Sequence, residues 1–188
     1  MRNTKTKKSL YILVEGKTEL AYVQDFAKCN PAVKVIVLTE TSSRPRLIKE
    51  ALKFSEENKL DTWIIFDQDD KLTEAKKIYT QAEAFNKRNK AKIHIAYLAP
   101  CFEIWPLIHF RYNNIPYVAK EVQKALGQHI KKYDHSKHPF IEVCKLETGY
   151  DKAVEVAKKW EASLVDMPEY EAHLFAGIYK LTEFIKNQ

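Results

Sequence analysis

Thr62-Trp63-Ile64-Ile65-Phe66-Asp67-Gln68-Asp69-Asp70 sets an unbroken apolar run directly against a cluster of acids. The run is rich in β-branched and aromatic residues, which reads as a strand buried on both faces. In a parallel α/β sheet, ligands gather just beyond the carboxyl ends of such strands. Asp67 and Asp69 are two apart, so an extended chain points both side chains to one side. Two carboxylates held together repel unless a positive charge lies between them. A hard divalent cation, Mg2+ above all, satisfies that need with one or two carboxylates, water and substrate phosphate. Aspartates after strands also start turns and cap helices, and Asp70, ahead of Lys71-Leu72-Thr73-Glu74, suits that job. One aspartate is explained that way; three behind one buried strand favour a metal or phosphate role.

The flanking sequence repeats the pattern. Ser9-Leu10-Tyr11-Ile12-Leu13-Val14 is a second buried strand, followed by Glu15-Gly16, where glycine permits a turn and close backbone approach. Lys17 to Lys28 carries an apolar stripe of Leu20, Val23, Phe26 and Ala27 at helical spacing, and Asn30-Pro31 ends it. Val33 to Leu38 is a third strand, Thr39 to Pro45 a polar turn region, and Arg46 to Asn58 a helix. Thr73 to Lys90 reads as a long charged helix and Lys92 to Leu98 as a fourth strand. Strands alternating with helices make an α/β fold with a mostly parallel sheet flanked by helices.

Ala99-Pro100 punctuates the chain before Cys101-Phe102-Glu103-Ile104-Trp105-Pro106-Leu107-Ile108-His109-Phe110, an almost wholly apolar segment with one acid. It reads as a buried helix that Pro106 kinks or shortens. A carboxylate in such surroundings needs a partner. Glu103 is therefore a metal ligand or general base, or else half of a buried salt bridge. Beyond residue 111 the pattern turns helical: Val118 to Leu126 with Gly127 as a stop, then Tyr150 to Trp160 and Tyr170 to Ile185. The expected organisation is a core over residues 1–110 with a C-terminal helical appendage over 111–188.

With 188 residues and a net charge of +6, the chain has the bulk of one ordinary domain and a modest preference for polyanions. No apolar run approaches the roughly 20 residues that span a bilayer, and the basic N-terminus precedes too short an apolar run for a secretion signal. Cys29, Cys101 and Cys144 are odd in number and form no CxxC pair, which points to free thiols in a reducing cytoplasm. A basic chain that clusters carboxylates at strand ends has the makings of a metal site within a phosphate-binding surface.

Parallel strands bring their carboxyl ends to one edge, so Glu15 is expected to meet Asp67 and Asp69 there. Together they could hold a metal and leave one carboxylate for proton transfer. Val14-Glu15-Gly16-Lys17-Thr18-Glu19 followed by Phe66-Asp67-Gln68-Asp69-Asp70 resembles the Toprim signature. Pro100-Cys101-Phe102-Glu103-Ile104-Trp105, ending His109-Phe110, resembles more narrowly the RloB-like family of restriction and phage-defence loci, which has abortive-infection relatives. The likeness covers roughly residues 10 to 110.

The resemblance implies a Toprim-like fold and a metal-dependent nuclease in the cytoplasm, using Mg2+ or Mn2+ on nucleic acid. It implies a general acid or base at Glu15 and metal ligation by Asp67 and Asp69, with Glu15 and Asp70 able to join the ligand set and Glu103 a further catalytic carboxylate. Gln68 stands where a basic residue is common and Ala99 where a small polar residue precedes the proline, which bears on phosphate contacts more than on metal binding. Lys17, Lys71 and Arg111 are the expected nucleic-acid contacts. A binding module that works only with an ATPase encoded nearby is the alternative. A haloacid-dehalogenase-like phosphatase fits poorly, because its D-x-D pair follows the first strand. The histidines at 129, 135 and 138 could ligate a metal, but no cysteine or paired acid supports them against a solvated basic loop.

Overall fold

The structure, a computed structural model, describes residues 8–68, 72–130 and 147–188. Four strands, β1 (Lys8–Val14), β2 (Val33–Glu40), β3 (Thr62–Asp67) and β4 (Ile93–Ala99), lie parallel in the order β2-β1-β3-β4. A short β5 (Phe175–Ala176) adds antiparallel to β4 at the edge. The fold is thus α/β, with a five-stranded, mostly parallel sheet between helices. Helices α1 (Lys17–Phe26), α2 (Arg44–Asn58) and α3 (Leu72–Arg88) connect the parallel strands. Then come α4 (Ile104–Phe110), α5 (Ala119–His129), α6 (Glu147–Ala162) and the C-terminal α7 (Ile178–Lys186).

Alternation along the strands sorts the core into two layers. Ile12, Val14, Trp63, Ile65, Ala96 and Leu98 face α1 and the helices α4 to α7. Leu13, Ile64, Phe66 and Tyr97 face α2 and α3, where Leu47, Ala51, Ala75 and Ile78 complete a second cluster. Because both faces are covered, β3 reads as a continuous apolar run, with Thr62 to Phe66 all buried.

The structure departs from the sequence reading at several boundaries. Helix α2 begins at Arg44, inside the expected turn region, because Pro45 occupies the first helical turn, where its missing N–H costs no hydrogen bond. Pro106 is likewise in the first turn of α4 and leaves that helix intact to Phe110. Gly127 does not stop α5, which continues to His129; the glycine is exposed and meets nothing that would require it. The segment expected as one helix from Tyr170 to Ile185 is instead a 3-10 turn at Glu169–Glu171, then β5, then α7. The C-terminal segment therefore contributes a strand to the sheet as well as helices. Among the described residues, no helix is long and apolar enough to cross a membrane.

Candidate active site at the carboxyl ends of β1 and β3

From β1 the chain turns outward to β2, and it then crosses back to place β3 on the other side of β1. The point where strand order reverses thus lies between the carboxyl ends of β1 and β3, where open α/β sheets bind ligands. Val14 pairs with Ile65, and the Glu15 N–H donates to the Ile65 carbonyl at 3.0 Å. Register alone therefore brings Glu15 beside the end of β3, which is Asp67.

A cleft of about 270 Å³ opens there, lined by Glu15, Gly16, Glu19, Asp67, Cys101 and Glu103, with α5 closing one side through Ala119 and Gln123. Three carboxylates singled out from the sequence, Glu15, Asp67 and Glu103, share this cleft. Glu19 is a fourth that the sequence reading quoted but assigned no role. It is buried in the first turn of α1, which favours an acid. Gly16 has an ordinary extended φ of −144°, so its use is spatial: a Cβ there would come within 3.0 Å of the Glu19 carboxylate.

Each acid is fixed by its own partners. Asp67 accepts the Phe102 N–H at 3.2 Å. Glu103 is 5% exposed and accepts from the Gln123 amide at 3.4 Å. The Cys101 thiol also hydrogen-bonds Glu103; burial, and then the nearby carboxylate, push that thiol far up, so it remains a neutral donor. Glu15 meets Arg44, whose Nε lies 3.0 and 3.2 Å from its two oxygens. The same guanidinium donates to the carbonyls of Asp67 and Gln68 and approaches Asp67 Oδ1 at 3.7 Å. Arg44, which joins this cluster through those contacts, was not singled out from the sequence.

A family model described as RloB-like protein matches residues 10–185. The chain belongs to the RloB-like family. Searches of curated proteins and of solved structures find no match.

Of the other residues singled out in the RloB-like sequence, those that the structure describes are not among the residues lining the cleft. Asp69, Asp70 and Lys71 lie outside the described residues, as do His135 and His138. Lys17 is exposed at the start of α1, next to Gly16 at the cleft. Arg111 follows α4 and donates to the Asn113 carbonyl at 2.9 Å; it is not part of the cleft lining. His109 is buried away from the cleft, with Nδ1 2.8 Å from the Trp105 carbonyl.

The donor chemistry of the cleft suits a hard cation, since Glu15, Asp67 and Glu103 all offer carboxylate oxygens and Asp69 and Asp70 follow in sequence. Among the described residues, no group of three or more His, Cys, Asp or Glu side chains is arranged to hold a metal ion.

Proposed function

We propose that this RloB-like protein is a divalent-metal-dependent nuclease of Toprim type that acts in phage defence. One observation carries the reading: Glu15, Asp67 and Glu103, remote in sequence, line one cleft at the switch point of the sheet. The Toprim likeness of the sequence supplies the chemistry, and the basic balance of the chain suits a polyanionic substrate.

Asp67, with Asp69 and Asp70, would hold Mg2+ or Mn2+. The cation would supply charge to polarise the scissile phosphodiester and stabilise its transition state. Glu15, held in place by Arg44 at 3.0 Å, would take a proton from the attacking water. The Phe102 N–H orients the Asp67 carboxylate, and Gln123 and Cys101 orient that of Glu103. Lys17, exposed and next in sequence to Gly16, would meet a backbone phosphate.

A second reading is a nucleic-acid or nucleotide-binding module that acts only with an ATPase partner. The Arg44 contact favours it to a degree, because the fold already supplies a countercharge to the acids. A metal-titrated cleavage assay over single- and double-stranded DNA and RNA separates the two. Turnover that requires Mg2+ or Mn2+ supports the nuclease. Metal binding without turnover, converted to turnover by an added ATPase, supports the module.

A further inference from the structure

Arg44 is fully buried, which is rare for an arginine and costly unless its charge is matched. Its position makes this more pointed. It stands in the first turn of α2, the end of a helix that disfavours a cation. The explanation lies across the sheet edge. Nε contacts both oxygens of Glu15, Nη1 donates to the Gln68 carbonyl at 3.1 Å, and Nη2 donates to the Asp67 carbonyl and lies 3.7 Å from Asp67 Oδ1. Phe66 presents its ring 5.4 Å from the guanidinium carbon, a further favourable contact for a delocalised cation.

We infer that Arg44 is a built-in countercharge: it holds Glu15 and Asp67 together as an anionic pair before any cation arrives. It is a positioning residue, acting on substrate only through those two side chains. The planar fork is what the role demands, since one guanidinium reaches a side-chain carboxylate and two successive backbone carbonyls at once. By fixing the carbonyls of Asp67 and Gln68, it also anchors the point from which the chain continues to Asp69. The inference uses the pairing of Glu15 with Asp67 that underlies the proposed function, but it makes no use of cleavage.

The test is a double-mutant cycle in stability, run in chelator so that no divalent cation substitutes. R44M lowers Tm by about 10 °C, as expected for a broken buried ion pair. E15Q alone lowers Tm, whereas E15Q placed in the R44M background raises it by several degrees, because it removes a carboxylate that has lost the Arg44 charge. Arg44→Lys goes through the same cycle and remains informative if R44M does not fold; because it keeps the charge, E15Q stays destabilising there. Added Mn2+ raises Tm more in R44M than in the parent, since an external cation takes over the missing charge. An E15Q effect of the same sign and size in the parent and R44M backgrounds would overturn the inference, as would an R44K variant in which E15Q is stabilising. Cleavage is not measured, so a failed nuclease reading and a failed countercharge remain distinguishable.

Discussion

Arg44 Nε lies 3.0 Å from a carboxylate oxygen of Glu15, with the arginine fully buried and the glutamate only 9% exposed. This contact joins the start of α2 to the end of β1, and Asp67 at the end of β3 enters the same cluster at 3.7 Å. Three elements thus converge on one guanidinium, at the sheet edge where this architecture binds ligands.

The nuclease reading makes Asp67 its most exposed commitment. Asp67→Asn keeps an oxygen that can accept the Phe102 N–H, so the local geometry survives. It removes the negative charge that a cation would need. Stability is expected to stay within about 1 kcal/mol of the parent. Metal-dependent cleavage is expected to fall on the order of 100-fold or more. Glu15→Gln should lose cleavage by a similar factor, as removal of a proton acceptor does. Initial rates against labelled oligonucleotides, with urea unfolding alongside, would check both; full activity in both variants would remove the assignment.

How much of this was legible in the sequence depended on how local the signal was. Trp63 to Phe66 announced a doubly covered strand because burial on both faces leaves no polar alternation to obscure it. Glu15 and Asp67 were legible because parallel pairing forces strand ends to one edge. Arg44 was not. A Ser-Arg-Pro-Arg stretch reads as a polar turn, and only the tertiary structure turns one arginine inward and leaves Arg46 exposed. The two-residue β5 was hidden for a related reason: it is too short to show periodicity, and its pairing with β4 is wholly non-local.

That hidden strand has a test of its own. Gly177 donates its N–H to the Tyr97 carbonyl at 2.7 Å, just past the β4–β5 pairing. A Cβ at this position would fall 2.9 Å from that carbonyl oxygen and 3.1 Å from the Tyr97 nitrogen. Both are backbone atoms of a buried strand and cannot swing aside. Gly177→Ala is therefore expected to destabilise the protein by about 2 kcal/mol through overpacking. Gly127→Ala, on an exposed helical turn with open space around it, is expected to be neutral or slightly stabilising. The two midpoints in urea give the comparison directly.

Trp105 is wholly buried, and its indole N–H donates to the Tyr22 hydroxyl at 2.7 Å, linking α4 to α1 behind the cleft. Tyr22→Phe removes the acceptor and almost no volume. The indole N–H is then left in an apolar layer without a partner, at a cost of about 1–3 kcal/mol. Trp105→Phe opens a cavity in either background, but it should cost less in the Tyr22→Phe background than in the parent, because there the stranded donor disappears with it. Equilibrium unfolding of the three variants would show it; equal stability of Tyr22→Phe and the parent would mean the hydrogen bond contributes nothing net.

His109 predicts how stability depends on pH. Burial lowers its pKa from 6.5 to about 4, partly offset by the hydrogen bond to the Trp105 carbonyl. With Nδ1 protonated and donating to that carbonyl, Nε2 is a bare acceptor, buried without a hydrogen-bond partner among the described residues. A proton added at Nε2 would put an uncompensated charge among Trp105 and Tyr150. The unfolded chain takes up that proton near pH 6.5, while the native state resists until about pH 4. Between those values the unfolded state binds more protons, so stability falls as pH falls. The His109 contribution is complete above pH 6.5 and is lost progressively down to about pH 4, amounting to about 3 kcal/mol over the window. His109→Gln, which cannot take up a proton, should be less stable than the parent at pH 7.5 and show a flatter decline between pH 6.5 and 4.5. Urea midpoints at four pH values measure the slope, and identical slopes in the two proteins would show that His109 does not resist protonation in the folded state.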